Sequence, residues 1–464
     1  MRQYHEPARD IPVIETDVLV VGAGTAGCVA AVAAARAGAK VLLVEKLPVP
    51  SGTLSNGGNS FYSLYAQSQF PGDVRQIVRG LPQELVERAR VNRGVDFVNH
   101  PNDPHRCPIR PRFNHESIKG ILCELLQEAG VKVLLQTFLC GVDVEDGVIR
   151  AAFIENKDGR FAVEAKEYVD CTGDGDLAKY AGAEQTDLWQ EYDKVSGAAT
   201  SLPLAISNVD FDRANQAMPE VFRSFGKKED GPNGEYRSRS YFLTVNKDTP
   251  GCEELKALNL REFVSFTSVR PGQAVINNSK GVQADCSSTE TLSRAEMELR
   301  IKNTKLVRAL IDTIPGFENA VMDWQAMMLG IRATKITRCD KAITVEDITS
   351  GARFEDEIGL YGFHDLASVQ KRPDLFVQNG TGFYGFPYRM LLPVGVKNLF
   401  MAGLCVTPDA EAHMSTRNTV GCMIMGQAAG AASALCVAKS CFSRELPYEE
   451  LRGELLKQDV VLDA

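Results

Sequence analysis

Three glycines and one acid near the N-terminus have the types and spacing of a dinucleotide-binding site. Gly22, Gly24 and Gly27 form a G-x-G-x-x-G pattern, and Glu45 stands 21 positions after Gly24. In such sites the first glycine makes a tight turn, the second lets the backbone approach a pyrophosphate, and the third lets a helix pack closely against a strand. A carboxylate about 20 residues further on accepts the hydroxyls of the adenosine ribose. The pattern predicts a bound dinucleotide and by itself leaves both FAD and NAD open.

The residues around this motif predict the elements that would position it. Residues 18–21 are an apolar run typical of a strand that is buried on both faces. Residues 26–37 are strong helix formers that precede Gly38, and residues 41–44 predict a second strand that ends at Glu45. The helix would direct its free N–H groups and the positive end of its dipole at the phosphates.

Length, charge and cysteine usage set further expectations. A chain of 464 residues is too long for one ordinary core, so we expect two domains. A net charge of -9 argues against a nucleic-acid partner. The first 17 residues are polar, and Arg36 and Lys40 interrupt the best apolar run, so we expect a cytoplasmic protein with no membrane partner. The 12 cysteines contain no C-x-x-C pair, which predicts reduced core thiols and no metal site.

The rest of the chain predicts a discontinuous first domain and an inserted second one. Asn114 caps a predicted helix that ends before Gly130, and hairpins are expected at 145–147 and 157–159. Further elements follow in chain order: a strand over 168–171 that enters a glycine turn, strands over 240–245 and 263–269, a helix over 293–314, a strand over 398–403 and a small-residue helix over 419–438. We therefore divide the chain into 1–183 with 385–464, and 184–384.

Four separated segments favour FAD over NAD, because a long flavin dinucleotide spans a whole domain. They are the N-terminal strand–helix–strand unit, the loop 51–59, the turn 169–176, and the C-terminal strand, loop and helix. The chain resembles the FAD-dependent oxidoreductases with a glutathione-reductase-like nucleotide-binding domain, and within them a bacterial group distantly related to the fumarate reductase and succinate dehydrogenase flavoproteins. The resemblance rests on the stretches 21–27, 169–178, 315–320, 386–393, 398–403, 412–417 and 426–430. It implies an α/β fold, with a Rossmann-like parallel sheet and an inserted α+β substrate domain.

The resemblance also implies which residues hold the FAD. The glycines of the opening motif would bind the pyrophosphate, Glu45 the adenosine ribose, and the helix that begins near Gly421 would direct its N–H groups at the N1/C2 edge of the flavin. The loop matching 51–59 carries no histidine, where relatives that bind FAD covalently have one, so we predict non-covalent FAD. The implied cofactor residues are Gly22, Gly24, Thr25, Ala26, Gly27, Glu45, Lys46, Gly52, Thr53, Asn56, Gly57, Gly58, Thr172, Gly173, Asp174, Gly403, Asp409, Gly421, Cys422 and Met423.

A flavin dehydrogenase also needs a base and a group that orients the substrate. His364, His413 and Tyr388 are candidate bases, and each has a structural hydrogen bond or simple packing as its alternative role. Arg389 and Arg417 are candidate clamps for a substrate carboxylate, with a salt bridge as the alternative. His413 and Arg417 keep the spacing of the fumarate reductase pattern but lack its glycine, and residues 332–336 lack the acid and the second arginine of a run found in relatives.

These features predict an FAD-dependent dehydrogenase or reductase. It would transfer a hydride between flavin N5 and a small polar metabolite, with a carboxylate-bearing metabolite as one option. The alternative is a redox-neutral flavin isomerase, or an FAD- or NAD-binding protein in RNA modification. No second glycine-rich unit is present for a nicotinamide, so a stable NAD(P)H site is not expected. The sequence leaves open the substrate, the direction, the electron acceptor and the oligomeric state.

Overall fold

The fold was analysed on a computed structural model, which describes residues 10–57, 64, 75–91, 95–98, 110–191, 200–225, 239–258, 263–277, 286–362 and 382–463. The helices are α1 (Thr25–Arg36), α2 (Leu81–Val91), α3 (His115–Glu128), α4 (Asp176–Tyr180), α5 (Phe211–Ala217), α6 (Cys252–Ala257), α7 (Thr289–Thr313), α8 (Val345–Ser350), α9 (Ala410–Thr416), α10 (Thr419–Lys439) and α11 (Tyr448–Lys457). Short 3-10 helices cover Gly52–Leu54 and Tyr388–Leu391.

The strands follow the same chain order. They are β1 (Val13–Val21), β2 (Val41–Val44), β3 (Val95–Val98), β4 (Arg110–Phe113), β5 (Lys132–Leu134), β6 (Phe138–Glu145), β7 (Val148–Asn156), β8 (Gly159–Asp170), β9 (Gln185–Asp187), β10 (Thr200–Ser201), β11 (Leu204–Ser207), β12 (Phe222–Phe225), β13 (Arg239–Thr244), β14 (Phe263–Arg270), β15 (Gln273–Ile276), β16 (Val321–Gln325), β17 (Gly330–Ile331), β18 (Lys335–Thr337), β19 (Glu357–Tyr361), β20 (Tyr384–Pro387) and β21 (Leu399–Met401).

The first sheet brings the two ends of the chain together. Its order is β5-β2-β1-β8-β7-β6, and β21 pairs with β8. The contacts β1–β2, β1–β8, β2–β5 and β21–β8 are parallel, whereas β6–β7 and β7–β8 are antiparallel hairpins. Val21 lies level with Val44 and with Asp170, and Asp170 lies level with Met401. The residues that follow these four strand ends therefore meet at one edge of the sheet.

The helices α1 and α10 pack against this sheet and against each other. A methyl group on Gly426 would lie 2.3 Å from the carbonyl oxygen of Ala26, and one on Gly430 would lie 2.1 Å from that of Ala30. Only glycine permits so close an approach of two backbones. The contacts run in the same chain direction along both helices, so α1 and α10 are parallel and their N-termini point the same way.

The second sheet is antiparallel and has its own core. Its order is β12-β13-β14-β15-β11-β16. Buried aromatic rings of Phe222, Phe266 and Phe317 pack beneath it, and the α7 residues Leu306 and Leu310 join the same core. The predicted α/β class is confirmed: a mixed sheet with a parallel core and helices lies beside an antiparallel sheet with its own helix.

The sequence predicts most of these elements well. Asn114 caps α3 by accepting from the backbone N–H groups of Glu116 and Ser117, and both predicted hairpins are present as β6–β7 and β7–β8. The domain division stays a prediction, and one segment bears on it. Ile343, Ile348, Ile358 and Leu360 lie within 184–384 but are buried in the core that the first sheet shares. That stretch packs with the FAD-binding unit.

One helix in the described ranges, Thr419–Lys439, is long and apolar enough to cross a bilayer, and 89% of its most apolar window is buried inside the protein. From the sequence we expected the stretch interrupted by Arg36 and Lys40 to be the most apolar one. That choice is wrong: α10 is more apolar, as befits a helix enclosed by α1 and the sheet. The cytoplasmic location stays a prediction.

Candidate functional site

The edge of the first sheet where β1, β2, β8 and β21 end carries most of the predicted cofactor residues. Gly22 has φ +94° and donates its N–H to the carbonyl of Val44 at 2.8 Å. A side chain there would strike the carbonyl oxygen of Cys171. Gly27 is tighter still, since a methyl group would lie 1.7 Å from the carbonyl oxygen of Gly22. The tight turn and the close helix packing predicted for these two glycines are present.

The N-terminus of α1 lies at this edge. Gly24 is the N-cap residue and has no side chain to cap the first N–H groups of the helix, which include those of Thr25 and Ala26. The loop after β2 crosses directly over it: a methyl group on Gly52 would lie 2.7 Å from the Cα of Gly24. The N–H of Ser51 donates to the carbonyl of Ala23 at 2.8 Å, with Ser51 itself held at φ +115°. A left-handed backbone conformation costs free energy in a residue other than glycine, so the surrounding structure must hold Ser51 in place.

The loop continues from the helix N-terminus toward the second unit. Thr53 and Gly57 pack on each other, because a methyl group on Gly57 would lie 2.9 Å from the Cα of Thr53. Asn56 is buried, and its Nδ2 donates to the carbonyl of Val49 at 3.1 Å. The backbone carbonyl of Asn56 accepts from the N–H of Met328 at 3.2 Å. The loop therefore links the α1 N-terminus to the segment between β16 and β17.

Glu45 is buried at the end of β2. One carboxylate oxygen accepts the N–H of Ala23 at 2.6 Å, and the other accepts the N–H of Leu47 at 2.8 Å. Burial raises the pKa of Glu45, against the lowering effect of those two hydrogen bonds. Each oxygen keeps a second lone pair for a ribose hydroxyl. The neighbouring Lys46 is exposed.

The turn after β8 is built on a buried acid. Asp170 accepts from the N–H and hydroxyl of Thr172 and from the N–H of Ala178. Its burial raises its pKa to about 6. Gly173 follows in the left-handed region with φ +87°, and Asp174 accepts a hydrogen bond from the hydroxyl of Thr334. Asp174 thus ties the turn to the strand region beside β18.

The C-terminal segments complete the edge. Gly403 has φ +118° and stands beside the side chain of Ala26. Asp409 caps α9 by accepting the N–H groups of Glu411 and Ala412, each at 2.9 Å. Asn418 precedes α10 but provides no side-chain cap. The other predicted members, Gly421, Cys422 and Met423, lie in the first two turns of α10 and are buried.

The N-termini of α1 and α10 are offset along the site. Relative to their contact at Ala26 and Gly426, α10 extends six residues further in the N-terminal direction than α1. At 1.5 Å per residue the α10 N-terminus reaches about 9 Å past that of α1. The two positive dipole ends are therefore staggered, as an elongated anionic cofactor would require.

His413 and Arg417 come together where α9 meets α10. His413 is fully buried, and its Nε2 lies 2.7 Å from the carbonyl oxygen of Leu404. Burial, and then the charge of Arg417, lower the pKa of His413 to about 3, so the ring is neutral at ordinary pH. Arg417 is half-buried one residue before the N-cap of α10, and its carbonyl accepts from the thiol of Cys422 at 3.1 Å.

Tyr388 and Arg389 lie apart from that pair. The Tyr388 hydroxyl is buried and donates to the carbonyl of Ser443 at 2.7 Å, and its ring packs near Phe400. Arg389 forms a two-point contact with Asp356 at 2.9 and 3.1 Å, with about half of its side chain exposed. These contacts are the structural alternatives that the sequence left open for both residues. His364 and Gly58 lie outside the described residues.

Comparison with known proteins decides the family. The model of the family described as FAD dependent oxidoreductase matches residues 17–455. The chain belongs to this FAD dependent oxidoreductase family. It is an oxidoreductase whose cofactor is FAD, and the FAD predicted from the sequence is confirmed. Its distant relation to the fumarate reductase flavoproteins stays a prediction. A search of curated proteins finds no match.

Several solved structures of flavoproteins resemble this chain in fold, although their sequence identity to it is low. A geranylgeranyl bacteriochlorophyll reductase-like protein from Thermoplasma acidophilum is 14% identical with a TM-score of 0.45, over 97% of this chain and 85% of that chain. The flavin-dependent brominase Bmp2 is 12% identical with a TM-score of 0.45, over 95% and 83%. The p-nitrophenol 4-monooxygenase PnpA from Pseudomonas putida is 11% identical with a TM-score of 0.43, over 96% and 84%. Likeness at this level says nothing about the reaction of this chain.

The residues of this oxidoreductase fit FAD on their own evidence. The amide oxygen of Asn56 is buried and has no hydrogen-bond partner within the described ranges. Leaving such an atom unpaired costs about 1–3 kcal/mol, and a polar group of the bound cofactor would satisfy it. The N-terminus of α1, where Gly52 crosses closely over Gly24, offers N–H groups for the pyrophosphate, and the uncapped N-terminus of α10 offers N–H groups for the flavin edge. No metal-binding group of side chains occurs among the residues that the structure describes.

Sequence reasoning did not single out His115, the first residue of α3. Its ring meets that of Trp324 of β16 edge-on, 4.9 Å between centroids, which places His115 where the two sheets meet. It is buried, and its Nε2 has no hydrogen-bond partner in the described part of the chain. Burial lowers its pKa to about 4. No local signal could reveal it, because its burial depends on Trp324, 209 positions away.

Proposed function

We propose that this protein transfers a hydride between flavin N5 and a small polar metabolite that bears a carboxylate, as a dehydrogenase or reductase. The observation that carries the proposal is the position of Arg417, half-buried one residue before the uncapped N-terminus of α10. When bound, FAD supplies the hydride acceptor or donor. The chain's own residues must supply the anion site, the orientation and the proton path.

The junction of α9 and α10 is positively charged from two sources. The guanidinium of Arg417 carries a full charge with a fork of donors suited to a carboxylate. The N-terminus of the 21-residue helix α10 adds a partial positive charge next to it. A substrate anion held there would lie at the same helix end that the family places against the flavin.

His413 serves this site as a positioning residue. Its ring is neutral and its Nε2 is engaged with the carbonyl of Leu404, which ties α9 to the loop after β21. The backbone N–H of Arg417 donates to the carbonyl of His413 at 3.1 Å. The orientation of α9 therefore fixes the backbone position of Arg417. For the proton path, the sequence-predicted His364 remains the histidine candidate.

The experiment is an anaerobic screen of the purified, yellow holoenzyme against a panel of small carboxylate metabolites. A substrate should bleach the flavin, and air should restore its colour. Arg417→Ala should keep bound FAD and lose about 10- to 100-fold in kcat/KM, the value of a charge-assisted hydrogen bond of roughly 1.5–3 kcal/mol. Arg417→Lys should recover part of the loss.

Arg389→Ala is the matched control, because Arg389 lies apart from the junction of α9 and α10 and contacts Asp356 at the surface. It should leave turnover unchanged. Full activity in Arg417→Ala with bound FAD would overturn the anion site. Product formation with the flavin remaining oxidised throughout, and no electron acceptor consumed, would instead indicate a redox-neutral isomerase.

A further inference from the structure

The C-terminus of α10 places two cysteines against each other. The N–H of Cys441 donates to the carbonyl of Cys436 at 3.2 Å, and the N–H of Ser440 donates to that of Val437 at 3.3 Å. Ser440 is left-handed, with φ +53°. These bonds and this conformation define a Schellman motif, in which the side chains of the fourth-last helical position and the second position beyond the helix meet. Both positions are cysteine here.

The two thiols differ in their access to solvent. Cys436 is almost fully buried, Cys441 is half-buried, and both are free thiols. A disulfide needs Cβ atoms within about 4.5 Å of each other. The Schellman motif packs the side chains at these two positions together, and its backbone bonds hold the two residues side by side at the helix end.

A buried acid lies within electrostatic reach of Cys436. Glu167 of β8 is 3% exposed, and its Oε2 has no hydrogen-bond partner in the described ranges. Burial raises the pKa of Glu167 to about 9, so the carboxyl is protonated at neutral pH. Desolvation likewise raises the pKa of Cys436, which makes a nearby proton acceptor necessary for its reaction.

We propose that Cys436 and Cys441 are a redox site that forms a reversible disulfide on reaction with a hydroperoxide, with Glu167 as the proton carrier. The sulfur of Cys441 attacks one peroxide oxygen and breaks the O–O bond, which leaves a sulfenic acid on Cys441 and releases water or an alcohol. The sulfur of Cys436 then attacks that of Cys441. Glu167 takes the Cys436 proton and gives its own to the departing hydroxide, so water leaves and Glu167 ends as it began.

The electrons balance in this sequence. Both thiols together lose two electrons, the peroxide gains them, and a dithiol reductant reverses the change. The site lies at the far end of the helix whose N-terminus faces the FAD region, so it is distinct from the oxidoreductase site. Flavoenzymes that react with oxygen can produce hydrogen peroxide, and any hydroperoxide would serve as the oxidant of the two thiols.

The test uses the holoenzyme with hydrogen peroxide, followed by alkylation of the remaining thiols and digestion with trypsin. Cleavage after Lys439 and after Arg444 separates residues 418–439 from residues 440–444, unless a disulfide joins them. We expect the joined species, and its loss on reduction. Cys436→Ser should instead leave a sulfenic acid on Cys441 that a dimedone probe labels.

Two variants separate the roles. Glu167→Gln should slow disulfide formation by about 100-fold, the lower range of acid–base contributions, with its FAD content as the check that it folds. Cys123→Ser is the matched control, because Cys123 is exposed and its loss should change nothing. Two unjoined peptides after peroxide treatment of the wild type would overturn the site, and an unchanged rate in Glu167→Gln would overturn the proton carrier.

Discussion

His115 is a buried imidazole whose protonation is disfavoured by the loss of solvent around it. Its folded-state pKa of about 4 lies below the ordinary value of about 6.5. Between these two values the unfolded chain binds more protons than the folded one, so stability is lost as the pH falls from about 6.5 to 4. The contribution of this one group is about 3 kcal/mol.

His115→Phe should therefore flatten part of the acid side of the stability profile. The phenyl ring keeps the contact with Trp324 and cannot be protonated. Urea unfolding at pH 7 and pH 4.5 measures the change: the wild type should lose more free energy of unfolding between them than the variant. Equal losses would show that His115 does not resist protonation. His413, whose pKa is also lowered, keeps the variant from being fully pH-independent.

At the residue scale the sequence predicts what depends on neighbours along the chain. Gly22, Gly27 and Glu45 lie within one strand–helix–strand unit, and their spacing alone indicates their turn, packing and acid roles. Asn56 and His115 are different, because each is buried by the segment 324–328 of the second unit. Likewise the Arg389–Asp356 pair joins residues 33 positions apart. Motif spacing carries no information about such partners.

At the scale of elements, the crossing of α1 and α10 depends on glycine. Gly430→Ala would place a methyl group 2.1 Å from the carbonyl oxygen of Ala30 and force the helices apart. We expect a loss of roughly 1–3 kcal/mol in the free energy of unfolding. FAD affinity should fall with it, because both helix N-termini shift.

Gly120→Ala is the matched control, measured in the same denaturation series. Gly120 is exposed in α3, and a methyl group there meets no atom within 4 Å. An added methyl should stabilise that helix by roughly 0.5–1 kcal/mol. If both variants were stabilised, the close contact of α1 with α10 would be refuted.

The predicted helix boundaries agree with the structure where the prediction used a capping residue. Asn114 and Gly130 bracket α3, as expected. The start of α7 was placed at residue 293 but lies at Thr289, because Ser288 provides the N-cap by accepting the N–H of Thr291. Strand pairing was harder to predict from the sequence. β21 pairs with β8 across more than 200 residues, and only the resemblance to flavoproteins indicated that the C-terminal strand joins the first sheet.

At the scale of the whole molecule, FAD should be held without a covalent bond. Denaturing the yellow protein with acid and removing the precipitate should release all of the flavin into the supernatant. The supernatant's absorbance and its chromatographic identity as FAD are the measurements. A yellow pellet would contradict the prediction.

Removing FAD should also lower the stability of the whole chain, because a ligand that binds only the folded state stabilises it. At 100 times its dissociation constant, FAD should add about 2.7 kcal/mol to the free energy of unfolding. Thermal melts of apoprotein with increasing FAD measure it. A melting temperature independent of FAD would mean that the cofactor does not couple to the fold.

The parallel contact of α1 and α10 has a consequence for the order of synthesis. The N-terminal helix leaves the ribosome first, yet the surface it needs on α10 is almost 400 residues later in the chain. At about 5–20 residues per second, that wait lasts roughly 20–80 seconds. During it the alanine-rich face of α1 is uncovered, and no complete flavin site exists. A complete flavin site therefore forms only after α10 has left the ribosome, and cofactor loading must follow the synthesis of that helix.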